Sequence, residues 1–357
     1  MAKERVVLID GSSMIYRAYF AIPSNFRTSR GLPTNASYGF ALMFGKILAG
    51  RAPTRGAVVF DPPGPTFRDA RYPEYKAHRP KMPPDLREQL PWIRRIVEVH
   101  DFPTLRVDGY EADDVIGTLT REARARGHEV HIISADKDFA QLIDDDVRMI
   151  DTMRDVVYDP ALVEKKWGVP PGQIVDLLAL TGDKVDNVPG VPGIGQKGAA
   201  KLLAEYGSLP DVLAHLEELK GRPRKALAAH RDDALLSREL VRIDQHAELP
   251  VGLDELAVPA PELDAVDALY RELEFYSLLR GGEEGPAVDA EDLDFGAFED
   301  VAALRGWLEA AGDARVALHA LFEPPSFVTG ALVGVALAAD GGRARFARLD
   351  DGPGSLG

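Results

Sequence analysis

The sequence predicts an α/β fold, a mostly parallel central sheet flanked by helices, followed by a helical region and a short α/β segment. Three observations carry this expectation. Apolar runs of strand length, RVVLID (5–10), GAVVFD (56–61), EVHIISAD (129–136) and VRMID (147–151), alternate with amphipathic stretches such as 36–50 and 113–127. The runs are continuously apolar, which is the pattern of strands covered on both faces. From about residue 160 strands give way to helical pieces: PALVEKKWG, QIVDLLALTGD, QKGAAKLLAEYG, LPDVLAHLEEL and DALLSRELVRI.

Composition narrows the class. The 357 residues are 45% apolar and contain no cysteine, so disulfides and thiolate metal sites are excluded and a reducing compartment is expected. No stretch approaches a membrane-spanning length and the N-terminus lacks a secretion signal, so the expected location is cytoplasmic and no membrane partner is expected. The formal net charge of −15 is unevenly spread: residues 281–357 hold 14 acids and 5 bases, leaving 43 acids and 37 bases in 1–280. Residues 281–300, with eight acids and no base, read as an acidic linker.

Ligands of open parallel sheets bind beyond the carboxyl ends of the strands. Three runs end in aspartate there, at Asp10, Asp61 and Asp136. Glu111, Asp113 and Asp114 stand at a helix start, Asp138 follows in ADKD, and Asp183 and Asp186 lie in TGDKVDN. A single aspartate at such a place is ordinarily a cap. Nine converging carboxylates repel one another unless a cation joins them, and oxygen-only donors suit Mg²⁺ or Mn²⁺ rather than zinc. The chemistry expected of such a cluster is two-metal phosphodiester hydrolysis. With these nine set aside, residues 1–280 are slightly basic, which is compatible with DNA.

Two further segments suggest nucleic-acid contacts. Residues 63–90 interleave Arg68, Arg71, Lys76, Arg79, Lys81 and Arg87 with Tyr72 and Tyr75, the composition of a phosphate-gripping flap or of a plain exposed loop. PGVPGIGQKG matches a dinucleotide-binding pattern literally, but DNVPGVP is no buried strand and no acid ends a second strand about 20 residues on. It reads better as a glycine turn between helices whose N–H groups, at Gly190, Gly193 and Gly195, grip a DNA phosphate, with Lys197 and Lys201 adding contacts.

LIDGSSMIYRAYFA, VVFDPPGPTFRDARYPEYKAHR, GYEADDVIGTL, ISADKDFAQLI and LTGDKVDNVPGVPGIGQKGAAKLL together resemble, in order, the motifs of the 5′ nuclease domain of bacterial DNA polymerase I and its flap-endonuclease relatives, over about residues 5–280. The resemblance implies a PIN-like core at 1–165 with a basic arch at 63–90, and a DNA-binding region at 166–280 with a helix-three-turn-helix at 187–206. It implies that Asp10, Asp61, Glu111, Asp113 and Asp114 hold one metal, and that Asp136, Asp138, Asp183 and Asp186 hold a second or act through its waters. Lys76 and Arg79 then contact the scissile phosphate, Tyr75 stacks on a base, and Tyr16 and Arg17 touch DNA nearby; Asp10, Asp113, Lys76 and Arg79 are the catalytic set. Arg68 and Arg71 join the DNA-binding residues, and a K⁺ ion is expected on the glycine turn. Gly198 departs from the Thr or Ser common in relatives.

Residues 301–357 resemble the opening of a 3′–5′ exonuclease-like domain, without the acidic pair of the active form on VALHALFE, and stopping short. The expected function is a 5′–3′ exonuclease and flap endonuclease acting on DNA with 5′ flaps, nicks or RNA primers, as a nucleoid-associated monomer. The competing readings are a non-catalytic flap-binding scaffold and a PIN-type ribonuclease. No P-loop, GxSxG elbow or HExxH spacing is present.

Overall fold

The computed structural model describes residues 4–280, 294–298, 300–312, 316–323, 331–339 and 343–348. The chain divides into two compact units, Met1–Gly281 and Gly282–Gly357.

The first unit opens with β1 (Arg5–Asp10), α1 (Gly11–Ala21), α2 (Asn35–Arg51) and β2 (Arg55–Val59). Then come α3 (Phe67–Arg71), α4 (Pro84–Val99), β3 (Thr104–Leu105), α5 (Ala112–Ala125), β4 (Glu129–Ile133), β5 (Val147–Asp151) and β6 (Val156–Tyr158). The helical region holds α6 (Pro160–Trp167), α7 (Ile174–Thr181), α8 (Gln196–Tyr206), α9 (Leu209–Ala214), α10 (Gly221–Ala229), α11 (Arg231–Val241) and α12 (Leu263–Glu272). The strands form one sheet in the order β3-β2-β1-β4-β5-β6, parallel except for the β5–β6 pair. The short β3 and β6 are additions to the strands expected from the sequence.

The two-residue pleat of β1 explains the layering. Val6 and Leu8 face a core shared with Ile116 of α5, Leu177 of α7 and Leu203 of α8. Val7 and Ile9 face a second core built with Ile15, Phe40, Ile93 and Leu269 of α1, α2, α4 and α12. Burial on both faces is what makes the runs continuously apolar. The spans expected as nuclease core and DNA-binding region thus share one apolar core. The chain leaves β1 toward β2 and β3, then returns on its other side to β4 and β5, which puts a topological switch point at the carboxyl ends of β1 and β4.

The second unit contains β7 (Asp294–Ala297), α13 (Val301–Ala311), β8 (Val316–Glu323), β9 (Ala331–Ala339) and β10 (Arg343–Arg348), with sheet order β7-β10-β9-β8. Of the expected linker 281–300, residues 281–293 and 299 lie outside the described residues. The remainder corrects the expectation: Asp294–Ala297 is a strand pairing in parallel with Arg343–Phe346, and the buried Phe298 beside it packs edge-on against Trp307, ring centroids 5.9 Å apart. Phe298, inside the acidic tract, joins Leu337 and Ala347 in this core. Among the described residues no helix is long and apolar enough to cross a membrane.

Candidate active site

Strand ends and helix starts place the carboxylates. Asp10 ends β1 and caps α1, its Oδ1 accepting from the Ser13 N–H (2.9 Å) and its Oδ2 from the Ser134 hydroxyl (2.9 Å). Asp61, just past β2, accepts from the Ala112 N–H at 2.9 Å and so joins the β2 end to the start of α5. Glu111 caps α5 and Asp113 lies in its first turn. Asp136 caps the 3₁₀ turn Lys137–Leu142 and accepts from the Asp138 N–H at 3.0 Å. Asp10, Asp61, Glu111, Asp113, Asp136, Asp138 and Asp186 line one cavity of about 200 Å³, with Tyr16, Lys76 and Arg79 on its rim.

Its electrostatics are those of crowded acids partly balanced by cations. Burial, reinforced by Asp61 and Asp136, pushes the Asp10 carboxyl up to about 7. Burial likewise holds Asp113 and Asp138 well above the usual carboxylate range, with Asp114 and Glu111 adding to it at Asp113 and Asp136 at Asp138. Lys76 Nζ meets Glu111 Oε1 at 2.5 Å and Asp186 Oδ2 at 3.9 Å, and Arg79 Nη2 meets Asp186 Oδ1 at 2.5 Å. Burial opposes the Lys76 charge, but Glu111 and Asp186 outweigh it and raise its pKa. Lys76 holds a left-handed φ of 54°, and its N–H bonds the Asp186 carbonyl at 3.0 Å, so the basic segment is docked onto the TGDKVDN loop. Such backbone strain in a non-glycine residue persists only where surrounding contacts enforce it.

Several residues expected in the site stand elsewhere. Asp114 is 0% exposed and Arg68 is 1% exposed, and the two form a bidentate ion pair at 2.6 and 2.8 Å. Asp114 also accepts from the N–H groups of Glu111 and Asp244, so its oxygens are spent on protein donors and it is not placed as a metal ligand. Arg68 adds bonds to the carbonyls of Leu240 and Arg242, so the expected DNA contact is corrected to a core cation. Tyr75, expected to stack on a base, is buried with its hydroxyl on Glu111 Oε2 at 3.1 Å. Asp183 does not line the cavity; it is paired with Lys137, whose charge overcomes burial to hold Asp183 below the usual carboxylate range. Gly190 is buried against Gly182, and its N–H is spent on Ser237 Oγ at 2.9 Å rather than offered to a phosphate.

The remaining expected contacts have varied surroundings. Arg71 is exposed and pairs with Glu239 at 2.6 Å, while Arg17 pairs with the buried Asp151 at 2.5 Å. Gly193, Gly195, Lys197 and Lys201 are exposed around the start of α8. Lys137 and Ser134 join the site without having been expected there. The signal for both lay inside one motif, SADKD: a lysine flanked by two aspartates, and a hydroxyl two residues before the first of them.

Residues 5–168 match the family described as 5′–3′ exonuclease, N-terminal resolvase-like domain, and residues 169–264 match the 5′–3′ exonuclease, C-terminal SAM fold. A 5′–3′ exonuclease of Aquifex aeolicus is 41% identical over 273 residues, covering 76% of this chain and 93% of its own. DNA polymerase I of Bacillus caldotenax is 43% identical over 296 residues, covering 82% of this chain and 34% of the polymerase; the chain thus spans about a third of that relative. A T5 5′-exonuclease with bound zinc superposes with a TM-score of 0.58 at 22% identity, covering 76% of this chain and 98% of that one. The catalytic core of Rad2 in complex with DNA substrate gives 0.53 at 16% identity, covering 76% and 88%. The structural likenesses show the fold, and the sequence matches show the lineage: the chain belongs to the 5′–3′ exonuclease family.

Proposed function

We propose that this chain hydrolyses phosphodiester bonds near the 5′ end of branched or nicked DNA, as a 5′–3′ exonuclease and flap endonuclease of the DNA polymerase I kind, in primer removal and repair. The observation that carries the reading is the convergence of seven carboxylates on one cavity at the switch point of a parallel sheet, rimmed by Lys76 and Arg79. The T5 and Rad2 proteins were seen with divalent metal or with DNA substrate, which supports the same partners here.

The donor set fits a hard divalent cation. Every candidate ligand is a carboxylate, the Asp10 carboxyl is pushed up by burial and by the neighbouring Asp61 and Asp136, and Asp138 Oδ1 is buried without a hydrogen bond, its nearest cation Lys137 at 3.7 Å. Among the described residues no three acids form a ready-made ligand set, and Lys76, Arg79 and Lys137 engage Glu111, Asp186 and Asp183. Asp10, Asp61, Glu111 and Asp113 would hold one Mg²⁺ or Mn²⁺, and Asp136, Asp138 and Asp186 a second. When bound, such ions supply charge stabilisation and a deprotonated water at neutral pH. The chain's own part is to orient and to balance charge. Ser13 and Ser134 fix the two oxygens of Asp10, and Ala112 fixes Asp61. Lys76 and Arg79 are held at the rim, where their charges stabilise the negative charge that grows on the phosphate.

The duplex part of the substrate would rest on the turn before α8. No atom lies within 4 Å of where a side chain would begin at Gly193 or Gly195, so backbone there can approach a phosphate, and a K⁺ ion on its carbonyls belongs to the same reading. The second unit is read as the opening of a 3′–5′ exonuclease-like fold lacking its acidic pair. Competition between branched DNA and single-stranded RNA tests the substrate class. Preferential cutting of the DNA supports the proposal, and preferential cutting of the RNA points to a ribonuclease on the same sheet plan.

A further inference from the structure

Lys137 is half-buried at the start of the 3₁₀ turn Lys137–Leu142, a few residues beyond β4. Its Nζ pairs with Asp183 Oδ2, from the loop after α7, and lies 3.7 Å from Asp138 Oδ1. The Asp183 anchor is fixed by its own loop. The Asp183 N–H donates to the Val188 carbonyl at 3.0 Å, and the Val188 N–H donates back to the Asp183 carbonyl at 2.7 Å. Asp183 Oδ1 accepts from the Val185 N–H at 2.7 Å, so both carboxylate oxygens are engaged by protein donors, outside the cavity lining. Asp138, by contrast, lines the cavity, and its buried Oδ1 has the Lys137 charge beside it but no hydrogen bond.

The two halves of the carboxylate cluster differ in the positive charge they already face. Among the described residues Asp10, Asp61 and Asp113 have no ion pair, and only Glu111 of that group meets cations, Lys76 and Arg68. In the other group Asp186 meets Arg79 and Lys76, Asp138 meets Lys137, and only Asp136 has none. A fixed cation beside a carboxylate repels an incoming divalent ion and reduces the negative charge left to attract it. We propose that Lys137 is a positioning residue that sets how tightly the group of Asp136, Asp138 and Asp186 takes its divalent cation. Held on Asp183, it neutralises Asp138 while the group is without metal, and its charge keeps that group's affinity low. The inference rests on the nuclease reading above and adds to it the residue that tunes the second cation.

The test counts and ranks bound Mn²⁺ by calorimetry and by the electron paramagnetic resonance of the free ion. It uses the full chain, Lys137→Met, Lys137→Gln and Lys137→Arg, each with its melting temperature in EDTA. Loss of the charge in Lys137→Met and Lys137→Gln tightens the weaker Mn²⁺ about ten-fold and leaves the tighter one in place. The Mg²⁺ midpoint of flap cleavage moves to lower concentration with it. Lys137→Arg keeps the charge and behaves as the parent. A weaker site unmoved or loosened in both neutral variants, with folding intact, overturns the proposal, because a side chain that only braces the loop gives that result. A parent chain that takes up no Mn²⁺ and cuts no flap fails the nuclease reading instead. The melting temperatures of Lys137→Met, Asp138→Asn and their double variant in EDTA then decide the pairing alone, and additive losses overturn it.

Discussion

Replacing Asp114 with Asn separates a structural acid from a metal ligand. Asp114 and Arg68 are both inaccessible to solvent, and their pair ties α3 to α5, while Arg68 reaches on to the carbonyls of Leu240 and Arg242 at the end of α11. Asp114→Asn keeps the volume but removes the bidentate partner, leaves Arg68 only Glu111 Oε2, at 3.3 Å, as an ion-pair contact, and turns an amide N–H₂ toward the cation. Removing one partner of a buried pair costs about 3–5 kcal/mol. For a unit of this size that is a fall in melting temperature of roughly 10 °C. The assay is urea and thermal unfolding in EDTA and again in Mg²⁺, where the loss is expected to be the same. The double variant Arg68→Met with Asp114→Leu recovers part of the loss. Recovery stays incomplete because the N–H groups of Glu111 and Asp244 lose their acceptor. An Asp114→Asn chain within about 1 kcal/mol of the parent in EDTA, but blind to Mg²⁺, would return Asp114 to the ligand set.

The other expectations concern the cation, a backbone contact and a tyrosine. Without metal, Asp10 holds its proton to about pH 7 in the folded chain against an ordinary value of 3.8, so stability falls as pH rises through that window. The fall is on the order of 4 kcal/mol at full deprotonation. Mg²⁺ should therefore raise the melting temperature more at pH 8 than at pH 5, and an equal rise at both would contradict the raised carboxyl. Gly190→Ala puts a Cβ 2.3 Å from the Gly182 nitrogen at a φ of +62° and should destabilise by about 3 kcal/mol or more in urea titrations. A neutral variant would mean that the Gly182–Gly190 contact is loose. Tyr75→Ala should cost about 3–5 kcal/mol of stability, as a buried aromatic does, and Tyr75→Phe only about 1 kcal/mol. Weakened DNA binding with unchanged stability in Tyr75→Ala would support base stacking instead.

What the sequence made legible follows from how local each signal was. The four long strands and Asp10, Asp61 and Asp136 at or beyond their ends were readable because burial on both faces leaves continuous apolar runs that polar residues must terminate. Thr104–Leu105 and Val156–Tyr158 are too short to show a period, and the second pairs antiparallel at the sheet edge. Arg68 misled because six cations in 63–90 suggest a surface, while its partner lies 46 residues on and its carbonyl acceptors 172 and 174 residues on. Tyr75 misled for the same reason, since its burial depends on Glu111, 36 residues away. The strand inside the acidic tract was hidden because its pairing partner begins at Arg343.

The carboxylate cavity is proposed to cut DNA at a 5′ junction with a divalent cation. A 5′-labelled flap duplex incubated with the chain in Mg²⁺, in EDTA, and with Asp113→Ala tests it most directly. Cutting near the junction that disappears in both controls is the predicted result. Tight binding of the flap with no cutting in Mg²⁺, by a chain shown to be folded, would contradict the account and leave a DNA-binding scaffold in its place.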